Sequence, residues 1–253
     1  MKYIFIITLF LISFSSFSQI ITEGNSSPVQ EETSKSEKSV KVKKEKVKRE
    51  KSGIELYVGF TPSYTYRTLK VNEGLFGEPL GMKSDEKGVW TTGYFLGVRN
   101  PLSKSFKLDI GIGYSSNKER FSYSSSDSLY KYTNSYRHIA VPLKIAYTYG
   151  ENIKLYAGAG IIPRAFLSMK RELTTFDKYK NEQTEKLIIR DKFNFILIDA
   201  VVDLGVQFKI GKNAGVFIMG EASRQLNNNY VKQGPYIRKS WAVGLNCGIE
   251  IYL

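Results

Sequence analysis

The sequence WAVGLNCGIEIYL, residues 241–253, alternates between two kinds of side chain. Its odd-numbered positions are all apolar, from Trp241 to Leu253, whereas its even-numbered positions are small or polar. Successive side chains of a β-strand point to opposite faces, so the pattern predicts a strand with one apolar face and one small, polar face. Because this strand ends the chain and follows an export signal, we expect it to be the closing strand of an outer-membrane barrel.

The first 18 residues predict a signal peptide. Lys2 supplies a positive charge, residues 4–12 (IFIITLFLI) are apolar, and Ser16 and Ser18 are the small residues before the expected cleavage site. The apolar run is shorter than the roughly 20 residues of a transmembrane helix, which disfavours the alternative of an N-terminal anchor helix. We therefore expect the chain to be exported.

Residues 19–52 predict a disordered basic tail on the periplasmic side. The segment is rich in Ser, Glu and Lys and ends in residues 41–51, KVKKEKVKREK. It buries too little apolar surface to offset the entropy cost of ordering. A basic run can bind nucleic acid, but behind an export signal we expect anionic cell-wall or lipid groups as its partners, or a solvated tether, and no nucleic acid. Residues 53–253 are expected to form one β-barrel domain.

Period-two segments recur along the barrel domain, and no run in it reaches the roughly 18 apolar residues that a transmembrane helix requires. We predict an all-β fold, an eight-stranded antiparallel up-and-down transmembrane β-barrel. The predicted strands are residues 53–69, 89–100, 106–123, 132–149, 153–170, 193–210, 214–226 and 239–253. Three connections are short (residues 101–105, 150–152 and 211–213) and four are long and polar (residues 70–88, 124–131, 171–192 and 227–238). Outer-membrane barrels have short periplasmic turns, so both mature termini are expected in the periplasm.

One face of the predicted strands is apolar, and the other combines glycine with charges of both signs. A soluble, lipocalin-like barrel also alternates, but glycine and charge are better suited to the crowded interior of a narrow membrane barrel. We expect a structural polar network in the lumen, formed by Glu55, Arg99, Lys107, Asp109, Lys144, Asp199, Asp203, Lys209, Glu221 and Glu250. Within it, four cations are expected to pair with four acids: Arg99, Lys107, Lys144 and Lys209 with Asp109, Asp199, Asp203 and Glu250. Since eight strands leave a lumen that side chains fill, we favour this network over a selectivity filter.

Aromatic residues cluster at both ends of the predicted strands, as in the two interfacial girdles of a membrane barrel. At the long-loop end these are Tyr64, Tyr66, Trp90, Tyr94, Tyr136, Phe193, Phe195 and Trp241; at the short-turn end they are Phe106, Tyr147, Tyr149 and Phe208. Pro62, Pro142 and Pro163 lie inside predicted strands. Proline lacks the backbone amide hydrogen that bonds to a neighbouring strand, and a closed barrel has no edge strand that would tolerate this loss. We expect a bulge shared by Pro142 and Pro163, or strand boundaries displaced from those predicted.

Residues that support catalysis or metal binding are scarce. The single histidine, His138, is predicted to point into the lumen near the long-loop end, and the next position on its face is Ala140 instead of a serine. A nucleophile needs a base within about 3 Å that a third group orients; only the loop residues Ser125 and Asp127 offer such groups nearby. Cys247 is expected to face lipid and lies far from His138 in sequence, so no metal cluster is indicated. We predict no catalytic, cofactor-binding or metal site and identify no small-molecule substrate.

Residues 136–147 (YRHIAVPLKIAY) resemble the "Y…I.IPL…Y" strand of the PorT-like outer-membrane β-barrel proteins of Bacteroidetes, which are OmpA-like eight-stranded barrels. The signal-peptide end SFSQ (residues 16–19) and the strand segments YAGAG (156–160) and DLGV (203–206) are similar to that group as well. The resemblance covers the barrel domain and implies an eight-stranded barrel in the outer membrane. The family's namesake is linked to secretion and gliding machinery, so the resemblance implies a secretion accessory.

We therefore expect a non-enzymatic outer-membrane protein, a scaffold or accessory subunit of an envelope (secretion or gliding) apparatus. Its expected partners are outer-membrane lipid and other envelope proteins. The alternative is a surface adhesin or envelope-integrity barrel that acts through the loops at residues 70–88 and 171–192. An outer-leaflet lipid-modifying enzyme and a soluble ligand-binding barrel are less favoured.

Overall fold

The computed structural model describes residues 53–71, 86–124, 129–176, 181–231 and 236–253. The strands in these ranges are β1 (Glu55–Val71), β2 (Glu86–Pro101), β3 (Phe106–Ser124), β4 (Leu129–Ala140), β5 (Leu143–Tyr149), β6 (Ile153–Phe176), β7 (Glu182–Ile189), β8 (Ile196–Ile210), β9 (Ala214–Gln225) and β10 (Tyr236–Tyr252). No helix among the described residues is long and apolar enough to cross a membrane. The signal peptide and basic tail predicted for residues 1–52 lie outside these ranges.

The strands close into a ring in which every neighbouring pair is antiparallel. β1 pairs with β2 on one side and with β10 on the other, and the ring continues through β3, β6, β8 and β9. β4 and β5 follow one another at a single position between β3 and β6. The ring therefore has eight positions, and the predicted eight-stranded antiparallel up-and-down barrel is confirmed.

The three short connections lie at the same rim as the beginning of β1 and the end of β10. There the amide of Tyr252 donates to the carbonyl of Asn213 (2.9 Å), and the amide of Leu253 donates to the carbonyl of Ile54 (3.0 Å). Gly211, in one of these turns, has a φ of 74°, a left-handed conformation that glycine adopts without steric cost. We call this end the short-turn rim and the opposite end the long-loop rim.

The long-loop rim contains a hairpin where the sequence predicts a loop, so the prediction for residues 171–192 is wrong. β6 continues to Phe176, and β7 returns along it, with Met169 opposite Ile189 and Phe176 opposite Glu182. Almost all of β7 is exposed. Because both faces of this β6–β7 hairpin (residues 169–189) meet solvent, it lacks the apolar alternation from which strands were predicted.

Pro142 interrupts the strand predicted over residues 132–149, which is divided into β4 and β5. Proline has no amide hydrogen to donate and restricts the residue before it. Backbone bonds nevertheless cross the gap: the amide of Val141 donates to the carbonyl of Pro163 (2.9 Å), and the amide of Gly111 donates to that of Pro142 (3.1 Å). The register is the same on both sides of the gap, with Ala140 opposite Arg164 and Leu143 opposite Ile161, so the bulge expected at Pro142 and Pro163 is not there. The register shift between β4 and β6 lies at Arg137 and His138, and the ring remains closed.

The barrel has apolar side chains outside and charged side chains inside. On the outside Leu204 is 72% exposed and Trp90 is 65% exposed, whereas Arg99 and Asp109 in the lumen are 2% and 0% exposed. The alternation of the last strand follows this division. The odd-numbered apolar residues point outward, and their exposed members are Trp241, Val243, Leu245, Ile249, Ile251 and Leu253. The core of the protein is therefore a lumen in which charged and polar side chains pack with aromatic and other apolar ones.

Candidate functional site

The lumen near the short-turn rim is filled by the Arg99 cluster, which consists of Arg99, Tyr57, Tyr156, Phe217 and Asp109. The guanidinium carbon of Arg99 lies 4.3, 5.2 and 5.0 Å from the ring centres of Tyr57, Tyr156 and Phe217. Its Nε donates to Oδ2 of Asp109 (3.1 Å), and the hydroxyls of Tyr57 and Tyr156 donate to the same carboxylate. Aromatic faces and a multiply bonded carboxylate thus compensate for the desolvation of the buried cation.

Two further acids bind the cations of this region. Oε2 of Glu250 accepts a hydrogen bond from Nη1 of Arg99 (2.8 Å). Glu55, at the rim, accepts from the ammonium of Lys107 and from that of Lys154 (3.0 Å). The side chains of Glu55 and Lys107 remain buried. These pairs extend the filled region of the lumen to the short-turn rim.

Next to the Arg99 cluster, towards the middle of the lumen, lies a cavity of about 110 Å³, which has room for several water molecules. Its lining includes Lys144, Glu221 and Asn246. The ammonium of Lys144 binds the carboxylate of Asp203. Oε2 of Glu221 accepts a hydrogen bond from Nδ2 of Asn246 (2.8 Å). The middle of the lumen is therefore polar but less densely filled than its ends.

Arg164 bounds the same cavity on the side towards the long-loop rim. Its Nη2 donates to Oδ1 of Asp199 (2.6 Å), and both side chains are buried. From the sequence, Asp199 was predicted to pair with a cation of the set Arg99, Lys107, Lys144 and Lys209. Arg164 was not in that set. The alternation of β6 could have identified Arg164, because Ile162 and Phe166 on either side of it face the lumen.

The lumen near the long-loop rim is closed by the Glu119 cluster, which consists of Glu119, Arg67, Arg238, Tyr136 and Asn134. Oε1 of Glu119 accepts hydrogen bonds from Nη1 of Arg67 (3.1 Å), the hydroxyl of Tyr136 (2.9 Å) and Nδ2 of Asn134 (2.9 Å). Its Oε2 accepts from Nε (3.0 Å) and Nη2 (2.6 Å) of Arg238. All five side chains are buried. One carboxylate therefore joins residues of four strands.

A second acid completes this cluster, because Glu86 accepts from Nε of Arg67 (3.1 Å). The cluster was not among the contacts predicted from the sequence. Glu119 shares its face of β3 with Asp109, so alternation would have identified it. Arg238 and Glu86 lie just beyond the predicted boundaries of their strands, so their orientation could not be inferred from alternation.

Eight of the ten predicted network residues are buried in the lumen: Glu55, Arg99, Lys107, Asp109, Lys144, Asp199, Asp203 and Glu250. Glu221 is half-buried and lines the cavity. Lys209 is exposed, and its Nζ lies 5.5 Å from the ring centre of Tyr252. It is the next-to-last residue of β8, so its side chain meets water at the short-turn rim instead of an acid in the lumen.

The aromatic residues predicted at the long-loop end divide into two groups. Six point outward and are exposed or half-buried: Tyr64, Tyr66, Trp90, Tyr94, Phe195 and Trp241. Tyr136 is fully buried in the lumen, because it shares its face of β4 with His138. Phe193 lies outside the strands, where its ring stacks on Tyr230 with centroids 5.1 Å apart. At the short-turn end all four predicted residues are exposed: Phe106, Tyr147, Tyr149 and Phe208.

His138 points into the lumen, where it is 1% exposed and packs edge-on against Phe166, with centroids 5.8 Å apart. Ser115 lies opposite it in the register of β3 and β4. Within the described part of the chain, neither ring nitrogen of His138 nor the hydroxyl of Ser115 has a hydrogen-bond partner, so the two do not form a nucleophile–base contact. Ser125 and Asp127 lie outside the described residues.

Cys247 is half-buried on the outward face of β10. Among the residues that the structure describes, no group of three His, Cys, Asp or Glu side chains is placed to hold a metal ion.

Comparison with known proteins finds similarity in structure alone. No family model matches the chain, and no curated protein matches its sequence. Neisserial surface protein A is 9% identical and aligns over 80% of this chain and 98% of its own, with a TM-score of 0.41. OprG of Pseudomonas aeruginosa is 9% identical over 80% and 97% (TM-score 0.39), and the N-terminal barrel domain of OprF from the same organism is 10% identical over 79% and 99% (TM-score 0.36). At these values the similarity carries no information on function.

Proposed function

We propose that the chain is an integral outer-membrane β-barrel protein with a closed lumen, which acts as a non-enzymatic scaffold or accessory subunit in the cell envelope. The observation that carries this proposal is the apolar exterior around a charged, hydrogen-bonded interior. An apolar outer surface on the strands of the ring is unfavourable in water and matches the hydrocarbon core of a bilayer. A closed ring also pairs its backbone groups internally, as a membrane requires.

The filled lumen supports a structural role over a diffusion pore. The Arg99 cluster occupies one end and the Glu119 cluster the other, and both consist of buried, multiply bonded side chains. A continuous water path would require these ion pairs to separate, and a buried charge without its partner is strongly unfavourable. We therefore assign the function to the two rims and the exterior.

Among envelope roles, we favour an accessory of a secretion or gliding apparatus, following the resemblance of residues 136–147 to PorT-like proteins. In this arrangement both termini lie in the periplasm, and the basic tail binds a periplasmic partner. The exposed β6–β7 hairpin favours a second candidate, a surface adhesin, because it presents a strand whose outer edge pairs with no described strand. Such an edge can bind an extended segment of a partner.

The membrane location is tested first. The tagged full-length chain, expressed in a Gram-negative host, should remain in the membrane pellet after carbonate extraction and should migrate faster on gels before heating than after it. Purified protein in planar bilayers should show no stable conductance. Recovery in the soluble fraction, or a steady open channel, would contradict the proposal.

Co-purification then separates the two roles. The full-length chain is compared with one variant that lacks residues 20–52 and with another in which residues 172–188 are replaced by a short turn. An envelope accessory should lose its co-purifying envelope proteins with the tail deletion, whereas an adhesin should lose binding to host cells or matrix only with the hairpin replacement. Retention of every partner by both variants would contradict both roles.

A further inference from the structure

The outer surface of β9 has a column of small residues where its neighbours have large ones. Ala222 lies between Val202 of β8 and Val243 of β10 in the registers of the sheet. One rung closer to the short-turn rim, Gly220 lies between Leu204 and Leu245. A side chain two residues along a strand returns to the same face, so these residues form an apolar furrow along the strand. We call it the β9 furrow: Ala222, Gly220, Val202, Leu204, Val243 and Leu245.

The upper part of the furrow belongs to a groove of about 590 Å³ on the barrel exterior, which also includes Arg224, Lys239 and Trp241. Its walls are two strands apart, about 9.5 Å at ordinary strand spacing. Gly220 is exposed, and the nearest atom to a Cβ built on it is a backbone oxygen 3.6 Å away. A lipid acyl chain therefore has room to lie along the furrow in contact with both walls.

Two cations stand at the end of the furrow near the long-loop rim. Arg224 lies opposite Trp241, and Lys239 lies two residues before Trp241 on the same face of β10. The two cations are therefore diagonal neighbours, with their Cα atoms about 7–8 Å apart. Neither belongs to an ion pair among the described residues. The ring of Trp241 packs edge-on against Tyr66, in the aromatic girdle. The cations thus lie at the height where lipid headgroups begin.

We propose that the β9 furrow with Arg224 and Lys239 binds a phosphorylated glycolipid of the outer leaflet, lipid A. This inference rests on the proposed membrane location. One acyl chain lies along Ala222 and Gly220, and a headgroup phosphate accepts hydrogen bonds from the guanidinium and ammonium groups. The long-loop rim faces outward, so the site meets the leaflet in which lipid A resides. Arginine and lysine are the side chains that bind phosphate most strongly.

The test uses the full-length protein purified in mild detergent and titrated with lipid A or with phosphatidylglycerol, with lipid-bound species counted by native mass spectrometry. The double variant Arg224→Gln/Lys239→Gln should lower the affinity for lipid A at least about tenfold. Ala222→Phe, which fills the furrow and leaves the charges intact, should also lower it. Each variant is first checked for heat-dependent gel migration to show that the barrel has folded.

Lys87 and Arg120 provide the matched control. They are exposed cations that face each other across β2 and β3 near the same rim, and neither lines the groove at the β9 furrow. Lys87→Gln/Arg120→Gln should leave lipid A binding unchanged. An equal loss in this control, no loss in the furrow variants, or equal affinity for phosphatidylglycerol would overturn the assignment. Failure of the wild-type chain to insert into phosphatidylcholine vesicles would overturn the membrane location itself, whereas insertion without lipid A selectivity would overturn only the site.

Discussion

The guanidinium of Arg238 lies over the ring of Tyr136, with its central carbon 3.8 Å from the ring centre. Both side chains also hydrogen-bond to Glu119, so cation, ring and carboxylate form one buried unit. The residues come from β10, β4 and β3; β3 and β4 are paired neighbours, whereas β10 is paired with neither of them and lies across the ring. The unit therefore joins opposite walls of the barrel near the long-loop rim.

Replacing Glu119 with leucine should destabilise the barrel by about 3–5 kcal/mol, because Arg67 and Arg238 would remain buried without their shared carboxylate. The free energy of unfolding is measured by urea titration in lipid vesicles, with tryptophan fluorescence as the signal. The control is Glu172→Gln, which removes an ion pair between the half-exposed side chains of Glu172 and Lys170. Ion pairs near the surface contribute little to the free energy of unfolding, so the control variant should unfold at the same urea concentration as the wild type. Equal stability of both variants would show that the cluster is not structural.

The charges of Lys144 and Asp203 are paired in the middle of the lumen. The double variant Lys144→Met/Asp203→Asn should be less destabilised than the sum of the single variants, with a coupling energy of about 0.5–3 kcal/mol. Lys209, exposed at the short-turn rim, supplies the control cycle with Asp203. The effects of replacing Lys209 and Asp203 on the free energy of unfolding should be additive within roughly 0.5 kcal/mol. Strong coupling of Asp203 to Lys209, or none to Lys144, would contradict the pairing in the structure.

Gly111 has no room for a side chain, because a Cβ built there lies 2.9 Å from both the hydroxyl of Tyr57 and the carbonyl oxygen of Leu96. Gly111→Ala should therefore displace Tyr57 in the Arg99 cluster and destabilise the barrel by about 1–3 kcal/mol. Gly220→Ala, on the outer surface, meets only one atom at 3.6 Å and should be nearly neutral. Urea titration of both variants measures the difference. A neutral Gly111→Ala would show that the space around Tyr57 is not limiting.

The ring and its two faces were predictable from the sequence because they depend on local patterns. Apolar alternation identified all eight positions of the ring, and glycine, proline and asparagine located the short turns. This alternation is confined to the part of the barrel whose exterior is apolar. Beyond it the β6–β7 hairpin is largely solvent-exposed and its apolar residues do not alternate with polar ones, so neither its strands nor its register has a period-two signature.

The partners within the lumen were harder to predict, because they depend on how distant strands face one another. Arg99 and Glu250 are 151 positions apart and meet because the ring closes through β1. Alternation indicates that both side chains point inward, but their positions along the barrel axis depend on the register of every pair of strands between them. Asp199 and Arg164, in contrast, lie on the directly paired strands β8 and β6, so their contact depends on a single register, in which Asp199 lies opposite Ile162.

The orientation of the barrel determines which rim can be labelled from outside the cell. If the long-loop rim faces outward, a cysteine at Lys186 in β7 should react with a membrane-impermeant maleimide on intact cells, whereas one at Lys212 in a short turn should react only after the outer membrane is permeabilised. Both positions are exposed, so accessibility within the protein is matched. The single native cysteine is first removed by Cys247→Ser, which changes a half-buried outward side chain. Labelling of Lys212→Cys in intact cells, with protection of Lys186→Cys, would reverse the orientation and place the β9 furrow cations in the inner leaflet, away from lipid A.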